Sequence, residues 1–462
     1  MLKKLIDIVR LSLNDKGYDY TVGSLRKGII LLAIPMMLEM AMESVFALVD
    51  TFFVGRIGNG ALTTVGLTEV MMTLVYSVAI GVSTAPMAMV ARFIGEKDPG
   101  KAGLAAGQAI LLGVFVSLLI AVPGFLFAED LLRLMGATEA VIREGAGYTR
   151  IMFATNVVIM LLFVINGIFR GAGEAAKAMR VLWLANGINI VLDPIFIFGF
   201  GPIPALGVEG AAVATSIGRG IGVGYQFYLL SGGRSALRMR ARAWVVDWGM
   251  QLRIVKIAAN GAFQYLIASA SWVFLMRIVA GFGEAAVAGY TVAIRLILFT
   301  MLPAWGLANA AAAFVGQNLG AKKPERAEKG VWLALKMTVV YFGVLSLFYF
   351  FFARPLVQGF VEEAAAVRYG TEALRVFAIG YVFFGVGMLP VQALNGAGDT
   401  RTPMLLNFVC FWLLEIPLGY WLGLELGYEV KGVVWAVVSA EIILSALALW
   451  MFVRGRWKET EV

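Results

Sequence analysis

The sequence predicts an all-α polytopic membrane protein: twelve transmembrane helices arranged as two pseudo-symmetric six-helix bundles. Three observations carry this. First, 60% of the 462 residues are hydrophobic and 15% charged, with mean hydropathy +0.83, which excludes a soluble or disordered class. Second, twelve apolar segments of spanning length follow one another, at 28–56, 63–91, 103–127, 147–168, 180–200, 207–231, 249–280, 285–315, 329–352, 371–394, 403–424 and 432–453. Third, the chain repeats itself. Ile57-Gly58 answers to Phe282-Gly283, Ile94 to Ala102 answers to Leu319 to Ala327, and Arg170 to Glu174 answers to Asn395 to Asp399, each pair 225 positions apart. An even six-span repeat keeps its orientation in the membrane. Two homologous halves related by an axis along the membrane normal are therefore expected, with a cavity between them.

The chain divides into an interfacial N-terminal segment (1–27), an N-lobe (28–231), a basic linker (232–247, with Arg234, Arg238, Arg240 and Arg242), a C-lobe (248–453) and a tail (454–462). In the first segment Leu2, Leu5, Ile6, Val9 and Leu13 fall near one helical face, as in a short helix lying on a membrane surface, with a solvated tail as the alternative. Lys3, Lys4, Asp7 and Arg10 interrupt that run, so it does not read as a secretory signal. Lys and Arg concentrate at both termini and in alternate loops, which predicts a multi-pass protein of the cytoplasmic membrane with both termini in the cytoplasm. The same bias explains the net charge of +8 without a nucleic-acid partner. With no His and a single Cys410, a His or Cys metal site, a disulfide framework and a Cys–His nucleophile are excluded. No enzyme and no bound cofactor are expected.

The first span is unusual. Between Ile29 and Val54 its charged side chains are Glu39, Glu43 and Asp50, and a carboxylate among lipid tails costs about 2.5 kcal/mol or more. At about 100° per residue, with Glu39 at 0°, Glu43 falls near 40°, Asp50 near 20° and Pro35 near −40°. All four share one stripe facing protein or water. Proline frees the carbonyl four residues back, so titratable groups and a hinge at Pro35 are combined, as a proton- or cation-driven switch requires.

The fifth span adds Asn186, Asn189 and Asp193 on one face just before Pro194. A carboxylate with amide oxygens on an interrupted helix suits a hard cation such as Na⁺, and equally a hydrogen-bonded proton acceptor. Asp193 as a plain helix cap is the simpler alternative. Gly95 to Ala102 nearly spells a phosphate loop, but Ala102 replaces the magnesium-binding hydroxyl and no strand precedes it, so it reads as a short turn. Across the repeat Asp50, Glu43 and Asp193 meet Leu275, Ala268 and Leu418, while Glu39 meets Gln264. Ion chemistry is thus expected in the N-lobe, with Glu415 and Arg295 of the C-lobe read as packing or snorkelling pairs, a place facing the cavity being the alternative for either.

Pro35 and Asp50 in the first span, Gly-Glu-Lys-Asp-Pro at 95–99, Asn-Gly-Ile-Phe-Arg-Gly-Ala-Gly-Glu at 166–174 and Asp193-Pro194, on a six-plus-six repeat, resemble the multidrug and toxic compound extrusion (MATE) family and its DinF-like branch. The resemblance covers nearly the whole chain. It implies the MATE/MOP-type fold and a secondary antiporter that expels cationic or amphipathic drugs in exchange for H⁺ or Na⁺. Carried over by motif, Asp50 and Asp193 match N-lobe carboxylates, Asn166 and Asn189 the amides beside them, Pro35 the bend of the first helix, and Thr215 a sixth-helix hydroxyl. NorM-like members also use acids in the seventh and tenth spans. Here Gln264 and Gly385 to Pro390 offer none, which favours the DinF-like branch.

The expectation is a monomeric exporter whose coupling site is one polar pocket of Asp50, Asn166, Asn189, Asp193 and Thr215, with Glu39, Glu43 and Asn186 as relay or cavity groups. Two carboxylates in a low-dielectric pocket cannot easily both be ionised, so one H⁺ or one Na⁺ at Asp50, Asn189 and Asp193 is expected between them, the proton preferred. The alternative is a flippase for lipids or lipid-linked precursors, which needs several cavity Arg or Lys. The cavity charges identified in the sequence are mostly acidic.

Overall fold

The computed structural model describes residues 2–14 and 18–462, with the backbone alone for Leu2 to Ile6, Thr51 and Asn59. A short α1, Leu2–Ser12, opens the chain, although its side chains Leu2, Leu5 and Ile6 lie outside the described residues. The N-lobe comprises α2 (Leu25–Gly55), α3 (Asn59–Gly95), α4 (Pro99–Leu126), a short α5 (Ala128–Leu134), α6 (Glu139–Ala154), α7 (Asn156–Gly171), α8 (Ala175–Phe198) and α9 (Val208–Ser231). The C-lobe comprises α10 (Trp248–Ala280), α11 (Glu284–Gly320), α12 (Pro324–Gln358), α13 (Ala364–Ala397), α14 (Arg401–Asn407), α15 (Ile416–Tyr420) and α16 (Glu429–Arg454).

Among the described residues eleven helical spans are long and apolar enough to cross a membrane, with Glu139–Gly171 and Arg401–Glu425 each counted once. The twelfth rod is α9, which has the length at 24 residues but is rich in Gly, Ala, Ser and Thr. Its small residues let α8 approach closely. A Cβ on Gly210 would lie 2.4 Å from the Phe196 carbonyl oxygen, and one on Gly218 2.7 Å from that of Ala185.

The repeat extends to backbone detail. Lys97 and Lys322, 225 positions apart, both adopt positive φ, at 62° and 58°, in the turn before a helix that opens with proline. A lysine in the left-handed region costs about 1 kcal/mol, so its recurrence marks one ancestral turn. The halves differ in several places, among them the short α5, whose counterpart stretch continues α12. The fourth span breaks at Thr155 whereas its counterpart α13 is continuous, and the eleventh widens into π-helical turns at Phe408–Glu415 and Trp421–Glu425.

The lobes meet through symmetric pairs, α3 on α10 and α2 on α11. A Cβ on Gly81 would lie 2.2 Å from the Ala262 nitrogen, and its counterpart Gly306 meets the Met36 backbone at 2.5 Å. At the end that carries both termini, α3 and α11 touch backbone to backbone. A Cβ on Gly95 or Gly320 would lie 2.0 Å from the carbonyl oxygen of Gln317 or Arg92. Residues 20–23 are strapped across the same end by Lys323 and Arg326, and Arg92 of α3 donates to the Thr460 carbonyl of the tail. One apolar cluster crosses between the lobes, joining Ile29, Leu32 and Met36 of α2 to Ala308, Ala311 and Phe314 of α11. Buried Pro35 thus sits where α2 hands over from C-lobe packing to the polar stripe.

Candidate functional site

The stripe on α2 meets three groups of partners. Nearest the terminus-bearing end, Glu39 is fully buried. Arg170 of α7 donates to it from Nη2 at 2.6 Å and Nε at 3.3 Å, and Asn166 from Nδ2 at 3.0 Å. The Asn166 oxygen in turn accepts from Gln226 of α9 at 2.8 Å. One turn on, Glu43 accepts from Asn186 of α8 at 3.0 Å, and Arg219 of α9 lies 3.9 Å away. Arg219 donates to the Tyr76 hydroxyl at 2.9 Å and stacks against the rings of Phe46 and Tyr76. Two turns further, fully buried Asp193 accepts from Asn189, whose amide, assigned the orientation that satisfies both of its ends, donates from nitrogen at 2.9 Å and accepts at oxygen from the Thr215 backbone nitrogen and hydroxyl at 2.9 and 3.0 Å. The charge of Asp50 reaches Asp193 and Arg219.

The expected single pocket is therefore divided. Asn189, Asp193 and Thr215 are brought together within electrostatic reach of Asp50, but Asn166 belongs to Glu39. The reason is axial position. Asn166 lies roughly 8 Å from the terminus-bearing end of α7, whereas Asp193 lies roughly 27 Å along α8 from the same end, at about 1.5 Å per residue. Asn186 pairs with Glu43 rather than with Asp193.

The charges lining the cavities between the lobes are mostly acidic, Glu39, Glu43 and Glu441 against Arg170, but two buried arginines that the sequence reading did not place, Arg170 and Arg219, face the stripe from α7 and α9. Ending the fourth span at residue 168 left Arg170 in a loop, but α7 runs on to Gly171 and turns it inward. Arg219 lies in the middle of a Gly-rich helix, and its signal was simply a cation inside a span. Glu69 and Glu441 are further carboxylates within spans that sequence reading passed over. In the C-lobe, Glu415 is buried while Arg295 is exposed and reached by Glu69, so these two do not pair.

A cavity of about 140 Å³ opens between the lobes, bounded by Glu39, Glu43, Asn166 and Arg170 on one side and by Tyr265 and Trp305 on the other. A larger chamber of about 450 Å³ lies beyond it in the C-lobe and shares Tyr265, Trp305 and Gln392 with it. Asp50 and Asp193 border neither. Among the described residues no three Asp, Glu, His or Cys side chains converge as metal ligands. The geometry offers one buried ion pair, Glu39 with Arg170, one looser contact between half-buried Glu43 and Arg219, and a buried carboxylate, Asp193, within electrostatic reach of half-buried Asp50.

Comparison with known proteins matches these halves separately. A family profile described as MatE covers residues 35–195 and 262–421. The probable multidrug resistance protein NorM of Thermotoga maritima is 25% identical over 443 residues, covering 96% of this chain and 95% of its own. An FAD transporter of Shewanella oneidensis is 28% identical over 396 residues, 84% of this chain and 85% of its own. The crystal structure of a MATE protein in the straight conformation superimposes with a TM-score of 0.89 at 26% identity, over 96% of this chain and 99% of that one. The two matched segments fall one in each lobe and together span most of the sequence, so the chain belongs to the MatE family and is a membrane-integral MATE transporter.

Proposed function

We propose that the chain is a cation-coupled antiporter that exports amphipathic, cationic organic compounds by alternating access, with H⁺ as the preferred coupling ion and Na⁺ as the alternative. It works as a monomer in the cytoplasmic membrane with both termini inside, and it catalyses no covalent reaction. The name of the Thermotoga maritima relative supports multidrug export. The observation that carries the reading is Asp193, fully buried on α8 beside Asn189 and Thr215 and within electrostatic reach of half-buried Asp50 on α2. A charge change there alters how α2 packs against α8. Since α2 also packs on α11, that change is transmitted to the contact between the lobes.

The orientation of Asn189 supports the proton. Assigned so that both ends are satisfied, its amide turns nitrogen to Asp193 and oxygen to Thr215 and presents a donor, whereas Na⁺ needs oxygens. The flippase reading, and an anionic cargo such as the name of the Shewanella oneidensis relative implies, would require free cavity cations. Arg170 is held bidentately by Glu39, and Arg219 is engaged by Tyr76 and Glu43.

Asp50→Asn and Asp193→Asn test the reading. Each keeps shape and removes charge, so each is expected to abolish coupled export of an organic cation while the protein still inserts and elutes as a folded species. Full export by either variant would refute it.

A further inference from the structure

The C-lobe chamber takes no part in the ion chemistry described above, yet its lining is specific. It is lined by α10, α11, α13, the eleventh span around Asn407 and Phe411, and α16, with Thr73 of α3 at its N-lobe edge. Its walls carry the rings of Tyr265, Trp272, Trp305, Phe384 and Phe411, and the flexible thioethers of Met301 and Met388. Among the residues lining it one is charged, Glu441 of α16, and Glu441 makes no hydrogen bond or ion pair with any described residue. A second polar group is also unsatisfied. Gln264 is 2% exposed and its side-chain oxygen has no partner. Glu415, also buried, lies within electrostatic reach of Glu441, on the helix whose wide turns end at that residue. Among the described residues no cation neutralises this pair as Arg170 neutralises Glu39.

A carboxylate and an amide oxygen kept unpartnered in an apolar, aromatic cavity are costly unless a ligand satisfies them. Aromatic faces attract cations, by about 0.5 to 2 kcal/mol each when desolvated. A volume of about 450 Å³ falls in the range of small-molecule pockets. Tyr265 and Trp305 stack at 5.8 Å between centroids and stand between this chamber and the cavity at Glu39, with Gln392 bonded to the Tyr265 hydroxyl at 2.9 Å.

We propose that this chamber is a binding site for a monovalent aromatic organic cation, with Glu441 as its counter-charge, Gln264 as its polar contact and Trp272 and Phe411 as its aromatic walls. The site rests on the cation-exporter reading and adds a location to it. Coupling ion and cargo then occupy separate sites, the cargo held mainly by C-lobe residues on the far side of the Tyr265–Trp305 stack. The cargo does not compete directly for Asp50 and Asp193.

The test is equilibrium binding of radiolabelled tetraphenylphosphonium to the purified full-length chain in nonionic micelles. Tetraphenylborate, of the same shape and opposite charge, serves as the control. Wild type is expected to bind the phosphonium and to discriminate against the borate. Glu441→Gln should weaken phosphonium binding about tenfold or more and erase the discrimination, since one desolvated charge contact corresponds to about a decade of affinity. Glu441→Asp should lie between, and Trp272→Ala should weaken binding severalfold while keeping the preference for the cation. Wild-type affinity in both Glu441→Gln and Trp272→Ala would overturn the site and leave the exporter reading standing. Failure of wild type to bind the phosphonium at all would overturn both.

Discussion

Consider removing the partner of a buried charge. In Glu39→Gln the Arg170 guanidinium, 7% exposed, keeps no counter-ion, and stranding one member of a buried pair costs about 3–5 kcal/mol. Arg170→Met strands the carboxylate, which still receives the Asn166 amide at 3.0 Å and is able to take up a proton, so its loss should lie at the lower end of that range. In the double variant the introduced amide still meets Asn166 and no charge remains buried. Its loss should be only about 1 kcal/mol, near the net worth of a hydrogen bond. The two single losses taken together therefore exceed the double by about 5 kcal/mol or more, above the usual range of measured couplings because each single variant strands a buried charge. Reversible unfolding in mixed micelles, titrated with a denaturing detergent, reads each value directly. Losses that add to within ~0.5 kcal/mol would refute the idea that Glu39 and Arg170 act as one unit.

Two other perturbations follow from the interface between the lobes. Pro35→Ala restores a helix hydrogen bond where α2 passes from C-lobe to N-lobe packing, and should slow turnover more than it weakens cargo binding. Single-turnover transport beside equilibrium binding would decide, and weakened binding with unchanged turnover would contradict it. Gly320→Ala places a Cβ 2.0 Å from the Arg92 carbonyl oxygen, so it should part the terminus-bearing ends of α3 and α11 and shift the population toward opening at that end. A spin-label pair spanning the two helices should show a longer distance in the variant, and an unchanged distance distribution would count against it.

Much of the fold was legible because apolar length and internal repetition are carried by many residues at once. The pairing of Ile94 to Ala102 with Leu319 to Ala327 held to the level of two left-handed lysines. The break at Thr155, the short α5 and the wide turns before Glu415 were not legible, since each depends on how neighbouring helices crowd one stretch of backbone. The site followed the same division. The stripe of Glu39, Glu43 and Asp50 came from helical angle alone, and Asn189 with Asp193 from spacing within one helix. Which layer Asn166 joins depends on where α7 ends, and a few residues of boundary error were enough to put Arg170 in a loop. Arg219 and Glu441 were visible as charges inside spans, but their meaning lies in partners, or the lack of them, on helices far apart in sequence.

The central claim is that ion movement through Asp50 and Asp193 drives export of an organic cation. Its most direct test is ethidium transport in proteoliposomes at clamped membrane potential, under a pH difference alone and then under a Na⁺ gradient alone. Transport driven by the pH difference, absent under Na⁺ and lost in Asp193→Asn, is the result predicted. Robust transport driven by Na⁺ at constant pH, with no response to the pH difference, would contradict the proton assignment, and transport unaffected in Asp193→Asn would contradict the site.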